Sequence, residues 1–171
     1  MIGLLLMRKR IMRLIKALAL FLIPASVFAE GFRTEVGISS RPGAMNASAS
    51  YEFNLDGVNI GPEIEYIDFG EQPHTDTRNR AVNINLRGSK REWFIEPFMK
   101  IGLTSTYFSD PYNDFDWDKG FKGWNFGGGL NFYPKKNVYV QAYVNNIHYV
   151  QCSQDGTNDY LYYSFGIGFK L

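Results

Sequence analysis

The chain ends in DYLYYSFGIGFKL at residues 159–171, a segment with a strict alternation. Its large apolar residues alternate with small or polar ones. A period of two is typical of a β-strand, because successive side chains point to opposite faces. The apolar face comprises Leu161, Tyr163, Phe165, Ile167, Phe169 and Leu171. A strand that is apolar along one face to its last residue needs a closing partner strand and an apolar environment for that face.

Seven earlier segments alternate in a similar way, so the sequence predicts eight strands. They are 32–40, 45–55, 58–69, 80–88, 92–108, 123–133 and 137–150, before the last at 159–171. Short turn sequences follow the even strands, whereas three of the four connections after the odd strands are long and polar. This is the layout of an outer-membrane β-barrel, which has short periplasmic turns and long extracellular loops.

The first 29 residues predict a cleavable secretory signal peptide. Five basic residues and no acidic one precede the apolar run ALALFLIPASVFA. Val27 and Ala29 at the end of this run occupy the two positions that a signal peptidase reads. The run is short for a membrane-spanning helix, so a retained anchor is the weaker alternative. The sequence therefore predicts two parts, a signal peptide at 1–29 and a barrel domain at 30–171.

Charge and residue counts narrow the function classes. Without residues 1–29 the chain has 13 basic and 17 acidic residues, a net charge of −4, which argues against nucleic-acid binding. One cysteine, Cys152, and two histidines offer too few ligands for a cysteine- or histidine-based metal site. We expect no cofactor and no metal. Whether Cys152 is a free thiol or forms an intermolecular disulfide stays open.

The polar faces of the predicted strands carry formal charges, which the core of a water-soluble barrel would not hold. We therefore place the polar faces inside and the apolar faces against lipid. Strand parity assigns these charged residues to the interior: Arg33, Glu35, Glu52, Glu63, Glu65, Arg87, Glu96, Lys100 and Lys170. Side chains fill an eight-stranded barrel, so the charges must form ion pairs. The best candidates for these pairs are Glu52, Glu96, Arg87 and Lys100.

Two further features of the predicted strands concern their packing. Pro62 and Pro97 lie within strands although proline has no N–H for the ladder, and a β-bulge at either position would accommodate them. Inside the barrel, we expect glycines 127 and 129 to make room for two tyrosines, Tyr139 and Tyr143.

Three stretches carry a family resemblance: EPFMKIGLTSTYF at 96–108, GWNFGGGLNFYPKKNVYVQAYV at 123–144 and YYSFGIGFKL at 162–171. They resemble the C-terminal half of small OmpA-type outer-membrane β-barrels, a group that extends into the porin-like, opacity-type family. The resemblance implies an all-β, eight-stranded, antiparallel, up-and-down transmembrane barrel in a Gram-negative outer membrane. It also implies that the barrel-assembly machinery reads the last strand, although the family usually ends in Phe. The residues concerned are Tyr163, Phe165, Ile167, Phe169 and Leu171.

These features favour a structural and interactive role for a monomeric barrel that presents loops at the cell surface. Its expected contacts are outer-membrane lipid, lipopolysaccharide and a host or surface ligand. The candidate contact residues of loop 109–122 are Tyr112, Phe115, Trp117 and Phe121. Alternate aspartates at 114, 116 and 118 begin like a calcium loop, but Lys119 stands where Gly is needed. A solvated acidic loop is the better interpretation.

Two alternatives come from other function classes. The interior charges could form a gate that opens a narrow water path when a pair breaks, although a static network is the more common use. The enzyme alternative is a lipid A deacylase of the PagL type, whose members carry a His-x-Ser pair near the outer rim. Here His148 is present, but Val150 replaces the serine, and Ser153 and Cys152 lie beyond the spacing. Because a histidine without a nucleophile cannot carry out acyl transfer, we expect no enzyme activity.

Overall fold

The computed structural model describes residues 31–40, 44–71, 78–109, 121–150 and 159–171. The predicted signal peptide at 1–29 lies outside these ranges. The described strands are β1 (Phe32–Ser39), β2 (Met45–Tyr51), β3 (Phe53–Leu55), β4 (Val58–Glu71), β5 (Arg78–Ser89), β6 (Ile95–Ser109), β7 (Phe121–Lys135), β8 (Val138–Tyr149) and β9 (Asp159–Lys170). Within the described ranges, no helix is long and apolar enough to cross a membrane.

The strands form one closed antiparallel barrel. From β3 through β9 to β1 and β2 each strand pairs with its neighbour in the order of the sheet, and the pairing of β2 with β4 closes the ring. β2 and β3 pair with β4 in the same register, so they are two segments of one barrel strand. The barrel therefore has eight strands, and the predicted all-β, up-and-down transmembrane barrel is confirmed.

The interruption between β2 and β3 is explained by Pro62. The register shared by the two segments sets Tyr51 opposite Pro62, which has no N–H to donate to the ladder. The β4–β5 register runs through Pro62 without a shift, so the proline is accommodated by a gap in one ladder rather than by a bulge.

Pro97 is accommodated in a second way. It pairs with Leu130 of β7 without a register shift, and on its other side β5 has already ended, since Ser89 pairs with Phe98. Lys90 N–H donates to Pro97 O at 3.2 Å. The N–H group that proline lacks would lie beyond the end of the β5–β6 ladder. Its absence therefore removes only one hydrogen bond, in the turn.

Several strand ends differ from the sequence prediction. β6 begins at Ile95 rather than Glu92, because residues 90–94 make the turn and Trp93 has φ of 59°. β7 begins at Phe121, two residues before the predicted start. The register shifts between Phe132 and Lys135 of β7, which sets Lys135 opposite Val138 on the outer face. Local twist and turn geometry set these ends, and alternation alone does not encode them.

The outer face of the barrel is an apolar belt. Ile84, Leu103 and Tyr163 are each at least 59% exposed, whereas eight of the nine charged residues that parity assigned to the interior are buried. A water-soluble barrel would have the opposite arrangement. A closed barrel satisfies its backbone hydrogen bonds within lipid, so this belt is the membrane-facing surface and the protein crosses the membrane with its strands.

Candidate functional site

In the part of the chain that the structure describes, the buried charged side chains of the barrel interior form one cluster. The structure buries eight of the residues selected from strand parity to 6% exposure or less: Arg33, Glu35, Glu52, Glu63, Glu65, Arg87, Glu96 and Lys100. The ninth, Lys170, lies nearer the short turns and its side chain is 21% exposed. The alternation of β1, β4, β5, β6, β9 and the strand formed by β2 and β3 points these side chains inward, and the closed ring brings them together.

Arg33 links two carboxylates across the interior. Its Nε lies 2.7 Å from Glu52 Oε2 and its Nη1 lies 2.6 Å from Glu96 Oε1. Its Nη2 also donates to Glu96 Oε2 at 2.8 Å, which makes the contact with Glu96 bidentate. The Tyr133 hydroxyl accepts from Arg33 and donates to Glu96. Lys170 Nζ adds a second cation to Glu52 at 3.2 Å.

Arg87 is the second arginine of the cluster around which carboxylates gather. Its Nη1 lies 3.0 Å from both Glu35 Oε1 and Glu63 Oε2, and its Nε lies 3.6 Å from Glu52 Oε1. The guanidinium also lies over the Phe98 ring, 3.9 Å from the ring centroid. A planar cation that contacts three carboxylates and an aromatic face is held in one orientation.

Lys100 connects this arginine to the middle of the barrel. Its Nζ lies 2.9 Å from Glu65 Oε2 and 3.3 Å from Glu63 Oε1. The hydroxyls of Tyr143 and Tyr162 both donate to Glu65. Each buried carboxylate thus has several donors, which is the condition for keeping charges in a protein interior.

Glycines give the interior tyrosines their space, though not quite as predicted. A Cβ on Gly129 would meet Tyr143, as expected, but a Cβ on Gly127 would meet Asn145 rather than Tyr139. The glycine beside Tyr139 is Gly168, whose added Cβ would fall on the tyrosine ring. Tyr139 pairs with Gly168 across β8 and β9. Finding this neighbour requires the register, which the sequence pattern does not supply.

The interior nearer the loops has a different composition. Asn125 Nδ2 donates to Asn85 Oδ1 at 3.0 Å and to Thr104 Oγ1 at 3.1 Å, and Asn145 Nδ2 donates to the Tyr162 hydroxyl at 2.8 Å. An apolar cluster extends from this region down to the charged residues, where Phe98 lies under Arg87 and Tyr143 lies beside Lys100. Its buried members are Ile67, Phe69, Ala81, Phe98, Tyr143, Ile147 and Tyr162. Among the described residues, the buried charged side chains all belong to the ion-pair cluster.

The pairing within the cluster differs from the simplest interpretation of the sequence. Glu52 and Glu96 share Arg33, which was not among the four residues chosen for pairing. Arg87 and Lys100 meet through Glu63. Arg33 and Glu96 lie 63 positions apart, on β1 and β6, which are not neighbouring strands. Contacts of this kind depend on the diameter and stagger of the barrel.

The outer rim holds a histidine–carboxylate pair. His148 Nδ1 lies 2.8 Å from Asp159 Oδ1, because the two residues are opposite each other on β8 and β9. The ring of Trp124 lies 5.2 Å from that of His148, on the outer face. The sequence pattern indicates His148 as a candidate but not Asp159. The only signal was its place at the start of the last strand.

The remaining site residues fall into two groups. Tyr112, Phe115 and Trp117 lie outside the described residues, as do the three loop aspartates, Cys152 and Ser153. Phe121 belongs to β7 rather than to the loop, which corrects the predicted loop boundary. The last strand exposes its apolar side chains on the outer face; they are Tyr163, Phe165, Ile167, Phe169 and Leu171.

Comparison with known proteins gives structural relatives alone. No family model matches the chain, and no curated protein matches it. The N-terminal β-barrel domain of Pseudomonas aeruginosa OprF has a TM-score of 0.62 at 14% identity, covering 83% of this chain and 98% of that chain. Neisserial surface protein A has a TM-score of 0.59 at 14% identity, covering 82% and 97%.

A third structure is Ail, the attachment invasion locus protein of Yersinia pestis, with a TM-score of 0.53 at 16% identity, covering 83% of this chain and 99% of that chain. At these identities the likeness shows the fold. The fold, together with the apolar belt and the charged interior, supports the predicted location. By its fold the chain is an outer-membrane β-barrel of the eight-stranded type.

Proposed function

We propose that the protein is a non-enzymatic outer-membrane barrel whose rigid interior holds its extracellular loops for contact with surface partners. The observation that carries the proposal is the filled interior. Eight charged residues are buried there and bound to one another, and an eight-stranded barrel has room for side chains only. Because side chains fill the interior, the loops are the part of the protein that is available to partners.

The names of two structural relatives support this class of function. One is called the attachment invasion locus protein and another a surface protein. Ail has also been solved in complex with the heparin analogue sucrose octasulfate. In our chain, segment 110–120 contains four aspartates and one lysine, a charge that repels a sulfated ligand. We infer that the partner of this loop is cationic or is reached through divalent cations, as phosphates of lipopolysaccharide can be.

The loop proposal is tested by a triple variant, Tyr112→Ser with Phe115→Ser and Trp117→Ser. Aromatic side chains dominate many interfaces, so we expect the variant to lose binding to lipopolysaccharide micelles with Mg²⁺ or to epithelial cells. A matched control replaces three polar residues of segment 151–158 by serine. Equal binding by the wild type and the triple variant, with both barrels folded, would show that this loop is not the contact surface.

A narrow channel is the main alternative within the membrane. Removing Lys100 would break its contacts with Glu63 and Glu65 and would open a gate if one exists. We expect closed traces from both the wild type and Lys100→Ala in single-channel recordings. Steps of conductance that appear only in the variant would replace the structural role by a gated one.

The His148–Asp159 pair favours a second candidate function, lipid A deacylation. A carboxylate that orients a histidine is part of a catalytic triad, and the pair lies on the lipid-facing side of the rim. Val150 occupies the position where the serine is needed. We expect lipid A to have the same mass spectrum with the wild type, His148→Ala and Ser153→Ala. Loss of an acyl chain that depends on His148 would establish the enzyme.

We also propose that the last strand is the element that the barrel-assembly machinery recognises, and that the folded protein is a monomer. The outward apolar row that ends at Leu171 supports the first point. Phe169→Ser should lower the amount of heat-modifiable barrel in outer-membrane fractions, whereas Lys122→Ser at another strand end should not. Equal yields would argue against recognition through this row.

A further inference from the structure

The short-turn end of the barrel carries a cluster of cationic and aromatic residues that the interior does not use. It consists of two neighbouring turns, 90–94 between β5 and β6, and 136–137 between β7 and β8. Arg91 joins these turns, since its Nη1 donates to Lys136 O at 3.1 Å and its Nε donates to Trp93 O at 3.3 Å. Its guanidinium lies 3.8 Å from the centroid of the Tyr133 ring. The two turns therefore form one fixed surface.

The aromatic part of this surface continues the lipid-facing belt. Phe132 is exposed on the outer face of β7, the Phe94 ring lies 5.3 Å from it, and the Trp93 ring lies 4.7 Å from that of Phe94. Trp93 is 87% exposed and has φ of 59°, a left-handed conformation that is strained for a tryptophan. The row thus passes from the belt to the level of the lipid headgroups, where aromatic rings are favoured.

The cationic part flanks this aromatic row. The register shift in β7 turns Lys135 to the outer face, and Lys136 follows it in the exposed turn. Lys90 Nζ pairs with Glu92 Oε1 at 2.8 Å, so these two charges offset each other. The two turns and Lys135 together contain four basic residues and one acidic residue. The surface therefore has an excess of positive charge next to apolar rings.

We propose that this surface binds the headgroup of an anionic phospholipid in the leaflet around the short-turn end. Lys135 and Lys136 hold the phosphate, and the row from Trp93 to Phe132 contacts the glycerol and the upper acyl chains. A free phosphate could use only the lysines, whereas a lipid uses both parts of the surface. The site is separate from the loop contacts proposed above and does not depend on them.

Native mass spectrometry of the folded barrel, released from nanodiscs with equal amounts of phosphatidylglycerol and phosphatidylethanolamine, tests this site. We expect the wild type to retain phosphatidylglycerol preferentially. From the contribution of each lysine near a membrane surface, Lys135→Gln with Lys136→Gln should lower that preference about thirtyfold. Lys122→Gln, at the opposite end of β7, is the matched control and should keep it. A heat-modifiability gel confirms that each variant is folded.

A third variant separates the two parts of the surface. Trp93→Gly removes the ring while permitting the positive φ, so it should weaken retention of both lipids and leave their ratio unchanged. Equal retention of the two lipids by the wild type would overturn the proposal, as would a double lysine variant with an unchanged preference. Displacement of phosphatidylglycerol by millimolar inorganic phosphate would reassign the surface to free anions and would also overturn it.

Discussion

The two halves of the barrel interior exclude water by different means. In the turn-side half, from Lys170 up to Lys100, charged residues pair with one another. In the loop-side half, amide side chains and members of the apolar cluster such as Ile67, Phe69 and Ile147 fill the interior. The difference shows that a barrel of one diameter can be filled by charge pairing or by packing. The cost of removing one side chain should therefore depend on the half in which it lies.

The largest effect is expected for Arg87→Ala in the turn-side half. The substitution leaves Glu35 and Glu63 without their shared cation, and breaking a buried pair in this way costs about 3–5 kcal/mol. Urea unfolding in phospholipid vesicles, followed by tryptophan fluorescence, measures the loss. Arg87→Lys keeps the charge and should lose less. A smaller decrease in the free energy of unfolding than in the loop-side variants would contradict the proposed difference between the halves.

Ile67→Ala in the loop-side half should rank second. Ile67 is fully buried in the apolar cluster, and truncation leaves a cavity that costs about 3 kcal/mol. The same unfolding measurement applies, with Ile64→Ala as the control, because Ile64 lies on the exposed outer face of the same strand. Equal losses for Ile67 and Ile64 would mean that the cluster is not tightly packed.

Asn125→Ala measures what hydrogen bonding, as distinct from packing, contributes to the loop-side half. It removes the donors to Asn85 and Thr104 and should cost about 1–2 kcal/mol, since buried acceptors lose their partner. Asn131→Ala, which removes a donor to the charged Glu96, should cost more because hydrogen bonds to charged groups are stronger. The reverse order would contradict the difference between the halves.

The smallest effect is expected outside the interior, at the Lys90–Glu92 pair of the turn. The hydrogen bond from Lys90 lowers the pKa of Glu92 from its ordinary 4.5, and the hydrogen bond with Glu92 raises the pKa of Lys90 from its ordinary 10.5. The Glu92 contribution is present above pH 4.5 and is lost as the pH falls through the lowered pKa. The Lys90 contribution is present below pH 10.5 and is lost as the pH rises through the raised pKa.

Lys90→Gln should therefore change the free energy of unfolding very little at pH 7, because exposed pairs contribute little. The difference from the wild type should disappear at the acidic end of the pH range. Unfolding curves at acidic and neutral pH check both statements. A loss at pH 7 as large as that of Arg87→Ala would show that burial is not what gives the interior pairs their value.

The sequence predicts the faces of the strands better than it predicts the contacts between them. Alternation sends Glu63 and Glu65 inward and Ile64 outward, and this needs no knowledge of the partner strands. The pairing of Arg33 with Glu96 or of His148 with Asp159 depends on register and barrel stagger. Strand ends also follow local causes, as at Trp93, where the turn rather than the strand determines the backbone. The alternation of the sequence thus predicts which side chains point inward, whereas register and barrel geometry determine which of them meet.

The pairing of β1 with β9 also constrains the order in which the barrel is built. Glu52 and Lys170 lie 118 positions apart, so their contact forms only after a long chain segment has closed. Before the last strand docks, Glu52 lacks its contact with Lys170 and the inward charges of β1 border an open edge, where charges exposed to lipid are costly. The charges that stabilise the finished barrel therefore penalise an unfinished one, which makes closure of the ring an all-or-none step.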